Sequence, residues 1–243
     1  MAFDGTEEPR RLCRLLLGVV LLAAAACGGS PSTTAGGGSP ATADVVTSDP
    51  AASSTPQPRS TRAFSPRVSY TVPQGWINAE DNADNFVLIP PTGTLAGVRD
   101  DISDFIGVFR GVAAAAENCD EVPQPGIGTT AAALADWLRS HAGLEVTPPR
   151  AVTIGGVDGL SVDVRVASGY KGTCPYAHDG EPLVPVIVGI NDKGLHHVIT
   201  ATFTMRLYVL DSVGANTVIE VVDHPAGDDL DAYSKIVDSI RFE

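Results

Sequence analysis

The sequence predicts an α+β domain built on an antiparallel β-sheet that is flanked by helices. Strand-forming apolar runs recur between residues 68 and 222, and most are joined by short turns that contain Gly, Pro, Asn or Asp. Only two segments have the 3.6-residue apolar period of an amphipathic helix. Because strands that are linked by short turns pair with opposite directions, we expect an antiparallel sheet with helices on its faces.

Several runs rich in β-branched and aromatic residues are bounded by turn residues and predict strands. They are residues 68–72, 86–89, a run within 102–112, 152–154, 160–166, 184–190, 197–203, 206–210 and 217–222. Gly155 and Gly156 indicate a hairpin turn between two of these runs. In the second arm of this hairpin, Val162, Val164 and Val166 alternate with polar residues, so we expect one face of the strand to be buried.

Two segments predict helices. The first begins after Thr129 or Thr130, whose hydroxyl can cap the first turn, and its apolar face is expected to end at a left-handed Gly143. That face consists of Leu134, Trp137, Leu138 and His141 at helical spacing. The second helix is predicted to begin at Asp228, with acidic residues at its positive end. Its apolar stripe consists of Leu230, Tyr233, Val237 and Ile240.

Residues 1–26 are predicted to be a lipoprotein signal peptide. An arginine-rich segment at 10–14 precedes an apolar stretch from 15 to 26, which at ~18 Å is too short to cross a bilayer core of ~30 Å. Residues 24–27, Ala-Ala-Ala-Cys, resemble a bacterial lipobox. The resemblance implies that Cys27 is acylated and becomes the mature N-terminus on the extracytoplasmic face of the membrane. Ordinary secretion with a free Cys27 is the alternative.

Residues 27–63 predict a disordered tether after the acylated cysteine. This stretch is dominated by Gly, Ser, Thr, Ala and Pro and has no aromatic residue, so it cannot bury enough apolar surface to offset its conformational entropy. As a flexible chain it would reach about 30–35 Å from the membrane. Its composition also suits O-glycosylation, although a plain tether fits equally well. Residues 64–243 are then predicted to be one folded domain.

Cys119 and Cys174 are predicted to form a disulfide. They are the pair that remains when Cys13 leaves with the signal peptide and Cys27 carries lipid. An even pair of cysteines in an oxidising compartment favours a structural bridge, which would stabilise the fold by up to ~4 kcal/mol. A redox motif would need Cys-x-x-Cys, and a zinc site would need further ligands at close spacing.

The charge of the chain argues against nucleic acid as a partner. Acidic and basic residues cancel before residue 64, so the formal net charge of −13 lies on residues 64–243. A surface of this sign repels phosphate backbones and anionic lipid head groups. The membrane is therefore expected to be reached through the lipid on Cys27 and not through a basic face of the domain.

Three short motifs resemble the PsbP/Mog1-like proteins, and within them the actinobacterial lipoproteins of the LpqN type. They are Tyr-Thr-Val-Pro-Gln-Gly-Trp at 70–76, the hairpin at 155–166 and the C-terminal segment 233–242. The resemblance implies an antiparallel sheet sandwiched by helices, an α/β/α sandwich, and for most bacterial members no assigned reaction. It supplies no catalytic residues. The segment that holds Cys119 and Cys174 lies outside the general pattern.

Motifs that could carry chemistry have simpler explanations. Ser168 and Lys171 have the Ser-x-x-Lys spacing of penicillin-binding proteins, but the glycines around them and Pro175 disfavour the helix that this motif requires. His196 and His197 are expected to point to opposite faces of a strand, so the two rings cannot easily share one metal ion. The acidic group at 228–231 fits a helix cap better than a calcium loop.

Two further histidines, His178 and His224, lie near acidic residues, but their spacing demands no metal site. We therefore predict no metal, no cofactor and no catalytic residue. The sequence favours a non-enzymatic binding or scaffold module of the cell envelope, whose partner would be an envelope protein, a glycan or a small lipophilic ligand. A carrier of a lipid or small lipophilic molecule is the alternative. An exported hydrolase with a triad dispersed in the sequence is a third possibility.

Overall fold

A computed structural model describes residues 55–99, 103–192, 194–227 and 229–243. The predicted signal peptide, Cys27 and the first part of the tether lie outside the described residues. The strands are β1 (Gln57–Ser60), β2 (Val68–Val72), β3 (Ile77–Asp81), β4 (Asn85–Ile89), β5 (Phe105–Arg110), β6 (Val112–Ala114), β7 (Leu144–Val146), β8 (Arg150–Ile154), β9 (Val157–Val166), β10 (Leu183–Gly189), β11 (His196–Thr200), β12 (Thr204–Leu210), β13 (Thr217–Asp223) and β14 (Arg241–Phe242). The helices are α1 (Leu95–Arg99), α2 (Ala131–Ser140) and α3 (Leu230–Asp238), and a 3₁₀ turn spans His178–Gly180.

An eight-stranded sheet forms the centre of the domain. Its strands lie in the order β3-β4-β5-β13-β12-β9-β7, and β8 pairs with β9 beside that path. Two three-stranded sheets, β1-β2-β14 and β11-β10-β6, accompany it. Every pairing between the named strands is antiparallel, as the short connections require.

Each face of the central sheet is covered by one helix and one small sheet. On the first face, Leu134 and Leu138 of α2 and Val186 of β10 share a core with Met205 and Leu207 of the sheet. On the second face, the core joins apolar residues of α3 and of the β1-β2-β14 sheet to the opposite side of the same strands. The predicted α+β class with an antiparallel sheet is therefore confirmed, although small sheets supply much of the two outer layers.

The amphipathic pattern places both long helices correctly. Thr130 caps α2, since its Oγ1 accepts a hydrogen bond from the Ala133 N–H at 3.2 Å. Gly143, however, is not a left-handed stop. A Cβ at this position would lie 2.8 Å from both Tyr170 and Val184, so glycine is needed there for close packing. Gly155 and Gly156 do adopt positive φ and turn β8 into β9, as the hairpin signal predicts.

The structure corrects two predicted boundaries. The run within 102–112 is two strands in different sheets, because Gly111 has a φ of +63° and separates β5 from β6. The predicted tether, 27–63, overlaps the fold at its end. Its residues Gln57–Ser60 form β1 against β2, and Thr61 is buried, with a backbone N–H that donates to the Val68 carbonyl at 2.9 Å.

Candidate ligand-binding site

A cavity of about 340 Å³ lies where the central sheet faces the β11-β10-β6 sheet. Phe105 and Phe109 of β5, Val222 of β13 and Leu195 contribute apolar wall, and Leu95 of α1 contributes at the side. The volume lies within the range of small-molecule sites, and polar atoms make up more of the accessible lining than apolar atoms do. Two other depressions are more open to solvent. The lining of one includes Glu145 and Leu230, and the lining of the other includes Arg59 and Asp81.

The floor of this cavity contains a buried carboxylate. Glu220 lies on β13 between Val218 and Val222, whose side chains belong to the first core, and only 1% of its surface is exposed. It pairs with Gly107 of β5 in the register of the sheet. A Cβ at Gly107 would lie 2.2 Å from the Phe109 ring, so this glycine leaves the space that the aromatic rings occupy beside the carboxylate.

His197 is the partner of this carboxylate. Its Nδ1 lies 2.5 Å from Oε2 of Glu220. The imidazole also packs edge-on against Phe109 and Phe105, with ring centroids 4.5 and 5.8 Å away. Burial of an acid in an apolar row is costly unless it is paired. The contact therefore joins β13 of the central sheet to β11 of the small sheet.

A second cluster of polar side chains lies beside β3 and β4 and consists of Glu80, Asn85 and Arg99. Glu80 accepts hydrogen bonds from Arg99 of α1 at 2.7 Å and from Nδ2 of Asn85 at 3.1 Å. All three residues line the cavity. Oδ1 of Asn85 is buried, and no described residue donates to it. A buried acceptor without a donor costs about 1–3 kcal/mol.

The predicted disulfide is present and supports the outer wall. Cys119 and Cys174 are bonded, with their Cα atoms 5.6 Å apart, and Cys174 packs against Leu183 and Val198. Tyr176, two residues further on, lines the cavity and its hydroxyl lies 3.1 Å from Nε2 of His196. The bridge thus attaches the segment that bears Tyr176, His178 and Glu181 to the loop around Cys119.

The two adjacent histidines diverge, as alternation along a strand predicts. His196 turns toward Tyr176 and toward Glu121, 3.7 Å away, whereas His197 turns toward Glu220. Burial lowers the pKa of His196 below its ordinary value, and the neighbouring His197 adds to this effect while Glu121 opposes it. Nowhere in the described residues do three or more His, Cys, Asp or Glu side chains come together in a way that could hold a metal ion.

The remaining candidate residues lie elsewhere. Ser168 and Lys171 are exposed in a loop, where no helix brings them together. His224 packs against Phe203, with ring centroids 5.0 Å apart. Asp229 precedes α3 without a side-chain capping bond, and Asp231 accepts a hydrogen bond from Arg206 at 2.8 Å. The predicted cap therefore does not hold for Asp229, and Asp228 lies outside the described residues.

A network on the opposite side of the sheet has a structural role. Arg206 of β12 binds both carboxylate oxygens of Asp163 at 2.6 and 3.0 Å, and it also donates to Ser234 of α3. Hydrogen bonds to Asp163 raise the pKa of Arg206 despite partial burial. This network fastens α3 to the sheet.

The polar groups of the cavity include one hydroxyl beside an imidazole. The described lining residues include no serine, threonine or cysteine, but the hydroxyl of Tyr176 lies 3.1 Å from Nε2 of His196. The lining also provides apolar side chains, the amide of Asn85 and a carboxylate that is paired with His197. Glu220, the central residue of this cavity, was not among the candidate site residues that the sequence predicted. The feature that could have indicated it is a single acidic residue within the otherwise largely apolar run Thr-Val-Ile-Glu-Val-Val.

No family model matches this chain, and no curated protein matches it. Among solved structures, a protein of Bacteroides thetaiotaomicron is similar, with a TM-score of 0.36, 11% identity, and coverage of 72% of this chain and 45% of that chain. The cyanobacterial PsbP protein CyanoP of Synechocystis has a TM-score of 0.39 and 12% identity over 80% of this chain and 96% of its own. LpqN, which is involved in cell envelope biogenesis of Mycobacterium tuberculosis, has a TM-score of 0.35 and 13% identity over 76% of this chain and 90% of its own.

This chain spans less than half the length of the Bacteroides protein. CyanoP and LpqN represent two of the groups that the sequence motifs resemble. With TM-scores below 0.5, these likenesses carry no argument about function.

Proposed function

We propose that this protein is an extracytoplasmic binding module, held at the cell membrane by acylated Cys27, that carries a small amphiphilic ligand. The observation that supports this function best is the cavity with its apolar wall and its buried Glu220–His197 pair. A protein scaffold needs no internal cavity, whereas this one has a volume within the range of small-molecule sites. The carrier alternative therefore becomes the leading hypothesis.

The lipid anchor and the tether complete this proposal. Residues 24–27 resemble a lipobox, and within the described residues no helix is both long and apolar enough to cross a bilayer. A tether would let a PsbP/Mog1-like domain collect or deliver its ligand at some distance from the membrane surface. The partner classes are then the membrane, through Cys27, and a small ligand within the envelope.

We also propose that the module is not an enzyme. The support is the lining of the cavity, whose described residues include no serine, threonine or cysteine; the one hydroxyl among them belongs to Tyr176. Incubation of the protein with ester, peptide, glycoside and β-lactam substrates should give no turnover. Turnover that disappears in His197→Gln would contradict this part of the proposal.

Native mass spectrometry tests the binding function. The full chain is expressed with its export signal, extracted from membranes in mild detergent and examined for a co-purified molecule. Leu95→Trp places a larger ring at the wall of the cavity and should displace that molecule. Val213→Trp makes a comparable enlargement at a hairpin tip that is 99% exposed and should retain it.

Two results would contradict a binding function. One is a wild-type protein that shows no bound molecule and takes up none from a total envelope extract. The other is equal retention of the molecule by Leu95→Trp and by the wild type, which would place the ligand outside this cavity.

A further inference from the structure

We infer that Tyr176 is a site of covalent acylation, at which His196 assists the attack of the phenol hydroxyl on an activated ester or thioester. This inference goes beyond the proposed binding function and does not depend on it, because a small acyl donor can reach Tyr176 without occupying the cavity. It depends on the contact between hydroxyl and imidazole, on the position of Glu121 and on the backbone that holds the phenol.

Tyr176 is the most exposed tyrosine among the described residues. It is 38% exposed and lines the cavity, whereas Tyr70 and Tyr208 are buried in the second core. An acyl donor from solvent can therefore reach this residue, which is the first requirement for a covalent site.

The imidazole of His196 is positioned to take the phenol proton. Its Nε2 lies 3.1 Å from the Tyr176 hydroxyl, within the reach that a general base requires. The two rings pack edge-on, with centroids 5.0 Å apart, and this packing holds their mutual orientation. Burial lowers the pKa of His196 against an opposing effect of Glu121. The imidazole is therefore neutral at neutral pH and has one unprotonated nitrogen.

Glu121 favours the histidine tautomer that this role requires. Its Oε1 lies 3.7 Å from Nδ1 of His196, the ring nitrogen that does not face the phenol. A carboxylate beside one ring nitrogen favours the proton on that nitrogen, which leaves Nε2 unprotonated toward Tyr176. The same carboxylate stabilises the imidazolium that forms when the phenol proton is taken. Because the Glu121 side chain is 54% exposed, its effect is expected to be small.

The backbone fixes both partners before an acyl donor arrives. Cys174 is bonded to Cys119, and the Ala177 N–H donates to the Cys174 carbonyl at 3.0 Å, so Tyr176 lies inside a turn that the disulfide anchors. His196 lies on β11, which pairs with β10. A nucleophile and a base that are already aligned need less ordering during the reaction.

The surroundings of Tyr176 favour an acyl donor over a phosphoryl donor. Glu121 lies beside His196, and Glu181 lies in the lining of the cavity. Their carboxylates repel the anionic oxygens of a phosphoryl group. The carbonyl of an ester or thioester is neutral, and its hydrocarbon part can contact Leu95 and Val98 of α1, which line the same cavity.

The step balances without a cofactor. The phenol oxygen of Tyr176 forms a bond to the carbonyl carbon, the carbonyl π electrons move to oxygen, and the phenol proton moves to Nε2 of His196. When the tetrahedral intermediate collapses, the bond to the thiolate or alkoxide leaving group breaks. The leaving group takes the bonding electrons and the proton from His196. The products are an ester on Tyr176 and a free thiol or alcohol, with one acyl group per protein and no turnover.

Acetylation of the purified full chain by p-nitrophenyl acetate tests this inference. Peptide mass spectrometry follows the modification of Tyr176, and N-acetyltyrosinamide is the unassisted reference. We expect Tyr176 to react at least about tenfold faster than the reference, since general-base assistance contributes about 10²–10⁴-fold. Hydroxylamine should remove the acetyl group, which distinguishes a tyrosine ester from a lysine amide. A rate less than about tenfold above the reference would overturn the inference.

A pair of histidine variants identifies the base. His196→Gln should slow the acetylation of Tyr176 by about tenfold or more. His224→Gln removes an imidazole that packs against Phe203 and does not line the cavity, so the rate should be unchanged. Equal rates in His196→Gln and the wild type would show that the imidazole does not act as the base.

The pH dependence separates a base from a merely structural neighbour. The groups that face His196 are Tyr176, Glu121 and His197. The wild-type rate should fall as the pH drops through the pKa of His196 and should be nearly constant between pH 7 and pH 8. In His196→Gln the rate should instead keep rising with pH, because only the ionised phenol reacts without a base. Glu121→Gln should move the fall to lower pH, since Glu121 raises the pKa of His196. A wild-type profile identical to that of His196→Gln would refute the role of His196.

These results are separate from the test of the binding function. Rapid acetylation of Tyr176 in a protein that retains no small molecule would support the acylation site and contradict the binding function. Displacement of a co-purified molecule by Leu95→Trp, together with Tyr176 reacting like the reference, would support the binding function and overturn this inference.

Discussion

The bond between Cys119 and Cys174 gives a stability prediction whose size follows from the chain. The two residues are 55 positions apart, and closure of a loop of that length reduces the entropy of the unfolded chain by an amount worth about 4 kcal/mol at 25 °C. The typical stabilisation by a disulfide is about 2–4 kcal/mol. We therefore expect Cys119→Ala/Cys174→Ala to lose between about 2 and 4 kcal/mol of unfolding free energy.

Urea denaturation followed by tryptophan fluorescence measures this loss, because Trp76 and Trp137 are both buried in the fold. The reduced wild type is the matched control. It keeps both sulfur atoms, and so it separates the loss of the covalent bond from the loss of Cys174 packing against Leu183 and Val198. If the oxidised and reduced proteins differ by less than about 1 kcal/mol, the entropic argument is wrong for this fold.

Three further changes have defined expectations. Cys27→Ser should move the protein from the membrane fraction to the soluble or secreted fraction on cell fractionation, and unchanged membrane retention would exclude acylation. Burial lowers the folded-state pKa of His141, against an opposing effect of Glu117, so stability should fall as the pH drops below about 6.5, where the unfolded imidazole gains a proton. His141→Asn, which keeps an acceptor for the Gly143 N–H, should lessen the decrease in melting temperature between pH 7.5 and pH 5; an identical decrease in the wild type and the variant would refute this account. Gly107→Ala should cost about 1–3 kcal/mol in urea denaturation, because its Cβ would collide with Phe109, and a loss within error of zero would show that the rings can move aside.

Local sequence patterns predicted most of the central sheet. Strand β2 was expected with its observed bounds, and the glycine pair at 155 and 156 identified the β8–β9 hairpin. The two candidate caps, Thr129 and Thr130, identified the start of α2, and Thr130 is the one that caps it. These features depend on side-chain alternation and turn chemistry within a few residues, which a single sequence reveals. The disulfide was also predictable, because the predicted signal peptide and acylated Cys27 leave one pair of cysteines for the domain.

Features that depend on distant contacts were missed. β1 has the polar, proline-containing sequence Gln-Pro-Arg-Ser and is a strand only because β2 pairs with it. The strand β3 was not predicted either, and its bulge near Glu80 and its exposed Ile77 give a poor alternation pattern. Gly143 was expected to be left-handed, but its role is set by Tyr170 and Val184, which come from later segments of the chain.

The candidate site was missed for the same reason. A metal shared by His197 and its neighbour His196 was considered and disfavoured, which left His197 without a predicted role, whereas its partner, Glu220, lies 23 residues away on another sheet. A lone acid in an apolar strand could have been recognised as a buried charge in need of a partner. The sequence could not identify that partner, because the antiparallel packing of two sheets decides it.

The bridge between Cys119 and Cys174 also bears on when the domain is complete. It fastens the chain around Tyr176, and such bonds form and persist outside the reducing cytoplasm. If the protein is exported as we propose, the wall that bears Tyr176 would be fixed in place only after export. Oxidation would then be the last step of folding, and a ligand held by this wall would be acquired outside the cytoplasm.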